Sequence, residues 1–162
     1  MTADPTDRAT EPELLDIAET RTAVVRGRVA PAQTISFFDT SFGILPSALA
    51  AQEAVVTGPA LSRWGTMSDE ATELEVGFPV DRLISPDGDV VPGALPAGRI
   101  ARVVHNGSFD ALGVTWDRLH GWIIEQGLVP GADRWEVYLT EPNPRMDPAD
   151  LRTELNWSID RP

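Results

Sequence analysis

Two residues that could do chemistry lie close together late in the chain, Glu136 and the single tyrosine, Tyr138. Residues 134–140 alternate with period two, which is typical of a half-buried strand. One set is apolar and is expected to pack in the core: Trp135, Val137 and Leu139. Glu136 and Tyr138 fall in the other set. If their face lines a cavity, Glu136 attracts a cation and Tyr138 supplies an aromatic wall with a hydroxyl. If it faces bulk water, the same residues form an ordinary solvated surface.

Three further positions are candidates for contact with a ligand. Trp64 fits a pocket wall best among the five tryptophans, because most of the others stand at periodic positions typical of a core. Trp116 lies within the apolar stripe of a predicted helix, so core packing is its alternative role. Glu75 is offset from its apolar neighbours and lies beside Gly77, whose missing side chain leaves room. Its alternative is a solvated carboxylate. A ring stacked on a cation contributes about 0.5–2 kcal/mol, so two or three rings suit a site of broad specificity.

Composition excludes several classes of function. The net charge, 13 − 25 = −12, disfavours nucleic acid as a partner and favours cationic ligands. There is no cysteine, the two histidines lack metal-ligand spacing, and residues 87–89 lack the calcium-loop pattern. Phosphate-loop and dinucleotide motifs are also absent, so we expect neither a metal nor a cofactor. No apolar run approaches the ~20 residues of a membrane span, which predicts a cytoplasmic protein without membrane contact.

Hydrophobic periodicity predicts two helices. The first begins near Thr34 or Ser36, and Pro46 should kink it. Its apolar face is Ile35, Phe38, Phe42, Leu45 and Leu49. The second follows a turn at residues 106–108, where Ser108 can cap it, and ends at Gly127. Its apolar face is Phe109, Leu112, Trp116, Leu119 and Ile123. Strands are predicted at residues 22–29, 60–64, 72–80, 98–105, from 134 onward, and at 152–159.

The order strand-helix-strand-strand therefore occurs twice, in residues 21–80 and 98–160. The proline- and glycine-rich segment 81–97 reads as a linker, and residues 1–20 as a polar, loosely attached tail. The predicted fold is α+β, with two pseudo-symmetric halves sharing an antiparallel sheet. Both helices would cover one face and a ligand groove would form where the halves meet, since clefts between repeats favour ligands. Strict alternation then predicts that Trp135, Val137 and Leu139 pack under the helices, while Glu136 and Tyr138 point away from them into the groove.

These features resemble the GyrI-like family, the effector-binding domain also attached to AraC- and MerR-type regulators. The similar residues, in order, are Thr22-Ala23-Val24-Val25-Arg26, Phe37-Phe38-Asp39, Gly58-Pro59, Glu75-Val76-Gly77-Phe78-Pro79-Val80, His105-Asn106-Gly107-Ser108-Phe109, Trp135-Glu136-Val137-Tyr138-Leu139 and Thr153-Glu154-Leu155. The resemblance implies two strand-helix-strand-strand units around a central groove. It implies binding of small molecules, often lipophilic cations, with aromatic rings on the ligand and an acidic residue against its charge.

Glu136 stands at the family's acidic position. Phe109 and Trp64 stand at or near positions where the family often has tyrosine, which preserves stacking but removes phenols. No helix-turn-helix segment is seen, so the resemblance is to a free-standing member that does not itself bind DNA. The ligand-binding set expected on this basis is Glu136, Tyr138, Trp64, Glu75, Phe109 and Trp116.

Three functions remain open. The first is a binding or sequestering module for lipophilic, cationic aromatic molecules. The second is a hydrolase of reactive cyclopropane-bearing natural products, as some family members resemble, with Glu136 as general base or anchor and Tyr138 donating to the leaving oxygen. The third is a protein inhibitor of the kind that acts on DNA gyrase, whose protein partner the sequence does not name.

Overall fold

The structure, a computed structural model, describes residues 10–68, 70–140, 145 and 147–160. The chain is α+β, as predicted, with antiparallel strands and two helices. In chain order the elements are β1 (Glu13–Ile17), β2 (Thr20–Val29), α1 (Thr34–Ala51), β3 (Leu61–Met67), β4 (Thr72–Pro79), β5 (Val90–Leu95), β6 (Gly98–Asn106), α2 (Leu112–Glu125), β7 (Val129–Tyr138) and β8 (Arg152–Asp160). Short 3-10 turns precede both helices, at Pro31–Gln33 and Phe109–Ala111.

The chain divides into two units. Residues 18–97 form the N-terminal unit; the residues up to Ile17, with those from Gly98 onward, form the C-terminal unit. The strands of the N-terminal unit lie in the order β5-β2-β4-β3, and those of the C-terminal unit in the order β1-β6-β8-β7. Each unit thus carries the predicted strand-helix-strand-strand repeat plus one edge strand.

The sequence patterns did not predict these two edge strands. Residues 13–17 were expected in a loose tail, but β1 pairs with β6 along its whole length. The first nine residues of that predicted tail lie outside the described residues. The predicted linker contains β5, which pairs with β2 and buries Val90 and Leu95. Pro92 obscured it, yet an edge strand tolerates a proline because one side of it has no ladder to donate to.

Helix α1 packs on β2 and β4 of the N-terminal unit. Leu45 and Leu49 are buried against Val25 and Val76, as the helical spacing predicted. Ile35 was assigned to the same apolar face, but it lies in the first turn of the helix and is 79% exposed. The helix continues without a break through Pro46, which is exposed.

Helix α2 packs on β6 and β8 of the C-terminal unit. Leu119 and Ile123 are fully buried against Ala101, Val103 and Leu155. Burial of each such side chain contributes about 1.5–3 kcal/mol, which makes this contact the main anchor of the helix. Both predicted ends of this helical segment are confirmed.

At the start, Ser108 Oγ accepts a hydrogen bond from the Asp110 amide at 3.2 Å. At the end, Gly127 takes a φ of +75°, and the Leu128 amide bonds the Ile123 carbonyl at 3.1 Å. The two capped ends and the buried face fix where Trp116 lies, in the second turn of the helix.

Candidate functional site

Strand β7 presents Glu136 and Tyr138 to helix α2. In the ladder with β8, Glu136 pairs with Leu155 and Tyr138 with Thr153. Paired residues of antiparallel strands share a face, and Leu155 lies in the core beneath α2. The prediction that Glu136 and Tyr138 share one face is confirmed, but the assignment of that face away from the helices was wrong.

Both sides of β7 are buried, which explains the error. Trp135 is 2% exposed and Glu136 is 6% exposed, although they point in opposite directions. Alternation identifies two faces, but it does not say which one a helix covers when both exclude water. Leu139, expected in the core, lies beyond the end of the strand and is 41% exposed.

The buried carboxylate of Glu136 accepts hydrogen bonds from two aromatic side chains. Trp116 Nε1 donates to Oε2 at 2.9 Å, and the Tyr138 hydroxyl donates to Oε1 at 3.0 Å. A carboxylate removed from water is costly unless it is compensated. Bonds to a charged acceptor are about twice as strong as neutral ones, so these two donors stabilise a negative charge at this place.

Aromatic rings surround that carboxylate. Trp116 meets Trp157 edge to face with ring centroids 5.7 Å apart, and Phe109 meets Tyr138 in the same way at 5.9 Å. Phe109 is 39% exposed in the turn before α2, and Tyr138 is half-buried. The structure therefore brings together four of the six predicted ligand-binding residues in the C-terminal unit. They are Glu136, Tyr138, Phe109 and Trp116.

Two residues of this cluster, Arg134 and Trp157, were given no role by the sequence. The Arg134 guanidinium carbon lies 5.0 Å from the centre of the Trp157 ring and 5.6 Å from that of Trp116. Burial lowers the pKa of Arg134, while the negative charge of Glu136 acts in the opposite direction. The period-two pattern already placed Arg134 on the Glu136 face. That Arg134 lies opposite Trp157 could be learned only from the register between β7 and β8.

An irregularity in β7 sets that register. Pro130 pairs with Ile159 and Arg134 with Trp157, so two extra residues of β7 bulge out between them. The Trp157 Nε1 donates to the Gly131 carbonyl at 2.9 Å. A side chain at Gly131 would collide with Ser158 Oγ, so any larger residue here would require neighbouring atoms of β8 to move.

The other two candidates, Trp64 and Glu75, belong to the N-terminal unit. Trp64 Nε1 donates to Ser62 Oγ at 2.9 Å, and its ring packs on the core beneath α1. Glu75 forms ion pairs with Arg26 at 2.8 Å and with Arg63 at 3.7 Å. Its charge is thus offset inside its own unit.

The space expected beside Glu75 is not a pocket feature. A side chain at Gly77 would collide with the carbonyl of Ala23, so the glycine serves a close approach of two strands. Backbone atoms of Ala23 and Val24 fill the space that a side chain at Gly77 would occupy. The sequence alone had predicted open room there.

His105 has a structural role. It is fully buried; its Nδ1 lies 2.7 Å from Thr115 Oγ1 and its Nε2 lies 2.9 Å from the Ser108 carbonyl. A carbonyl only accepts, so we assign the proton to Nε2, and Nδ1 then accepts from Thr115. Within the described ranges, no group of three histidine or acidic residues could hold a metal ion, and no helix could span a membrane.

Comparison with known proteins relates this architecture to a family of ligand-binding domains. The family model described as a GyrI-like small molecule binding domain matches residues 10–160. Among curated proteins, none matches the sequence.

Several solved structures share the fold. The crystal structure of the EcmrR C-terminal domain has a TM-score of 0.80 and 16% identity; the match covers 93% of this chain and 98% of that one. SAV2435 bound to tetraphenylphosphonium has a TM-score of 0.69 and 10% identity, covering 93% and 94%. A hydrolase from Listeria innocua has a TM-score of 0.67 and 15% identity, covering 98% and 94%. Identities this low establish the fold and not the activity.

Proposed function

The chain belongs to the GyrI-like family of small-molecule-binding domains, and we propose that its ligands are lipophilic aromatic cations attracted by Glu136. One observation carries the proposal. The carboxylate of Glu136 is 6% exposed and is held by the donors of Trp116 and Tyr138, among aromatic rings. A negative charge in such surroundings acts at low dielectric, where its attraction for a cation is stronger than in water.

The exposed part of the cluster supplies the contact surface. Phe109 and Tyr138 meet edge to face, and both rings are reachable by solvent. A cationic ring system stacked on them gains about 0.5–2 kcal/mol per ring beyond its apolar burial. Phenylalanine and tyrosine serve this purpose equally, so the missing hydroxyl at Phe109 does not weaken stacking.

Charge balance favours a cation over a neutral ligand. The chain carries a net charge of −12, which raises the local concentration of cations around it. That the similar fold of SAV2435 holds tetraphenylphosphonium supports the same ligand class, although the likeness is one of fold.

Trp64 stays a predicted stacking residue of the N-terminal unit. Glu75 is disfavoured as a reader of ligand charge, because Arg26 and Arg63 already match it.

The test compares two ligands of nearly equal shape and different charge. Methyltriphenylphosphonium is a cation, and triphenylphosphine oxide is its neutral counterpart. Titration calorimetry of the wild-type protein should show tighter binding of the cation by at least about tenfold, as for one charge-assisted contact. Equal affinities, or tighter binding of the oxide, would contradict the proposal.

A hydrolase is the second candidate, and the hydrogen bond between Tyr138 and Glu136 favours it. Glu136 would accept a proton from a water that attacks a cyclopropane carbon. As the strained C–C bond breaks, the Tyr138 hydroxyl would donate a proton to the oxygen of the substrate that takes up the released electron pair. Incubation with strained, cyclopropane-bearing electrophiles, followed by mass spectrometry, tests this. A product heavier by one water, formed catalytically, would establish it; stoichiometric binding without product would dismiss it.

A further inference from the structure

The cation site beside Glu136 already faces a cation of the protein itself. The guanidinium carbon of Arg134 lies within 5.0 Å and 5.6 Å of the ring centres of Trp157 and Trp116. Distances below about 6 Å mark cation–π contacts. Trp116 is also the residue whose indole donates to the Glu136 carboxylate at 2.9 Å. One tryptophan therefore contacts both the arginine and the acid.

Arg134 and Glu136 are neighbours on one face of the strand. Residues two apart in a strand lie about 7 Å from each other along it. Both belong to the face that α2 covers, because Arg134 pairs with Trp157 and Glu136 with Leu155. Arg134 is half-buried, and its charge lies close enough to that of Glu136 for the two to attract each other.

An aromatic wall with a carboxylate at its side is the same environment that an external organic cation would need. We propose that Arg134 is an internal competitor: its guanidinium occupies the cation position beside Glu136, and a ligand cation binds by displacing it. This inference rests on the proposed function. It makes Arg134 the residue that sets the affinity threshold and the preference for charge.

The bulge in β7 supports such a role. Residues between Pro130 and Arg134 are not held in the regular ladder with β8, and Gly131 is fixed by the Trp157 indole instead. Arg134 is thus the first residue where regular pairing resumes. Its long side chain has several rotamers and can leave the rings without breaking a ladder bond, since its charged head reaches water easily.

The inference has opposite consequences for two kinds of ligand. A cation that replaces the guanidinium restores the charge beside Glu136, so loss of Arg134 removes a competitor and strengthens binding. A neutral ligand does not restore that charge. Without Arg134 it would bind beside a carboxylate that has lost its neighbouring cation, and its affinity should stay the same or fall.

The variant Arg134→Met tests this with the same phosphonium and phosphine oxide pair. Methionine keeps an unbranched apolar stem of similar length. We expect the dissociation constant of methyltriphenylphosphonium to fall about five- to thirtyfold, as for removal of a cation–π competitor. Arg134→Lys keeps the charge without the planar guanidinium. Its dissociation constant for the phosphonium should therefore stay close to that of the wild-type protein. Arg99→Met, at an exposed arginine paired only loosely with Asp16, makes the same change in net charge and should have no effect.

A measurement on the wild-type protein keeps the test independent of folding of the variants. In nuclear magnetic resonance spectra, the Nε–H proton of Arg134 should be shifted upfield by the currents of the two indole rings. Addition of the phosphonium should move it to the position of an exposed arginine such as Arg99. Addition of the phosphine oxide should leave it in place.

The outcomes separate the two proposals. If the phosphonium binds with dependence on Glu136 while the Arg134 resonance is unmoved, or if Arg134→Met changes both affinities equally, the inference is wrong and the proposed function stands. If the phosphonium binds without any dependence on Glu136, the proposed function falls as well. If neither the wild-type protein nor Arg134→Met binds the phosphonium, both are wrong.

Discussion

The indole Nε1 of Trp116 donates a hydrogen bond to Oε2 of Glu136 across 2.9 Å, and this bond joins helix α2 to strand β7. The helix also rests on apolar contacts through Leu119 and Ile123, and the Thr115 hydroxyl joins it to His105 of β6. Apolar contacts are not directional, whereas a hydrogen bond to a buried carboxylate fixes one rotamer of each partner. The charge of Glu136 is thereby tied to the position of the helix.

The first prediction concerns that bond. Trp116→Phe retains a ring but removes the donor, which leaves a buried carboxylate oxygen less satisfied. We expect a loss of about 1.5–3 kcal/mol in the free energy of unfolding, the range for hydrogen bonds to charged groups. Urea unfolding measures it. Trp122→Phe, on the same helix and packed on the same apolar cluster, is the control. Equal losses in the two variants would show that only ring size matters.

The second prediction separates binding from catalysis at Tyr138. Tyr138→Phe keeps the edge-to-face contact with Phe109 and removes the hydroxyl that donates to Glu136. The affinity for methyltriphenylphosphonium should change by less than about fivefold, since one neutral donor is lost and the charge remains. A hydrolase that uses this phenol as general acid would lose about a hundredfold or more in turnover.

Calorimetry and product analysis on the same Tyr138→Phe preparation give both numbers. A large loss of affinity without any turnover in the wild-type protein would assign the hydroxyl to ligand binding. That result would contradict the view that Tyr138 acts mainly through its ring.

The third prediction concerns the bulge that places Arg134. Gly131→Ala should destabilise the protein by about 1–3 kcal/mol, as for overpacking, because the added carbon meets Ser158 and Asp160. Gly121→Ala, in the middle of α2 with open space around it, should instead stabilise by about 0.5–1 kcal/mol. Thermal unfolding of both variants checks the signs. An unchanged melting temperature for Gly131→Ala would mean that the bulge accommodates the added methyl group at little cost.

The sequence predicted what local pattern controls. Period two placed Glu136 and Tyr138 together, helical spacing located Leu119 and Ile123, and Gly127 marked the end of α2. It failed where the outcome depends on distant partners. Alternation could not reveal that α2 covers the Glu136 face, because Trp135 on the opposite face is equally buried.

The contact of Arg134 with Trp157 could not be predicted from the periodicity of the sequence either. It depends on a register that changes by two residues between Pro130 and Arg134, and a bulge of this kind leaves no periodic signal. Strand β5 was hidden for a different reason: Pro92 and Gly93 read as loop residues, and only the edge position of the strand makes them acceptable.

The central claim is that Glu136 reads the charge of the ligand. Glu136→Gln keeps the shape and one oxygen acceptor but removes the charge, and Glu73→Gln, at an exposed strand carboxylate, removes the same charge elsewhere. Titration calorimetry at fixed salt should measure the affinities of methyltriphenylphosphonium and triphenylphosphine oxide for the wild-type protein and both variants. We expect Glu136→Gln to weaken the cation by about 1–3 kcal/mol and to change the neutral ligand little, with no effect of Glu73→Gln. Equal losses for both ligands, or none for either, would contradict the account.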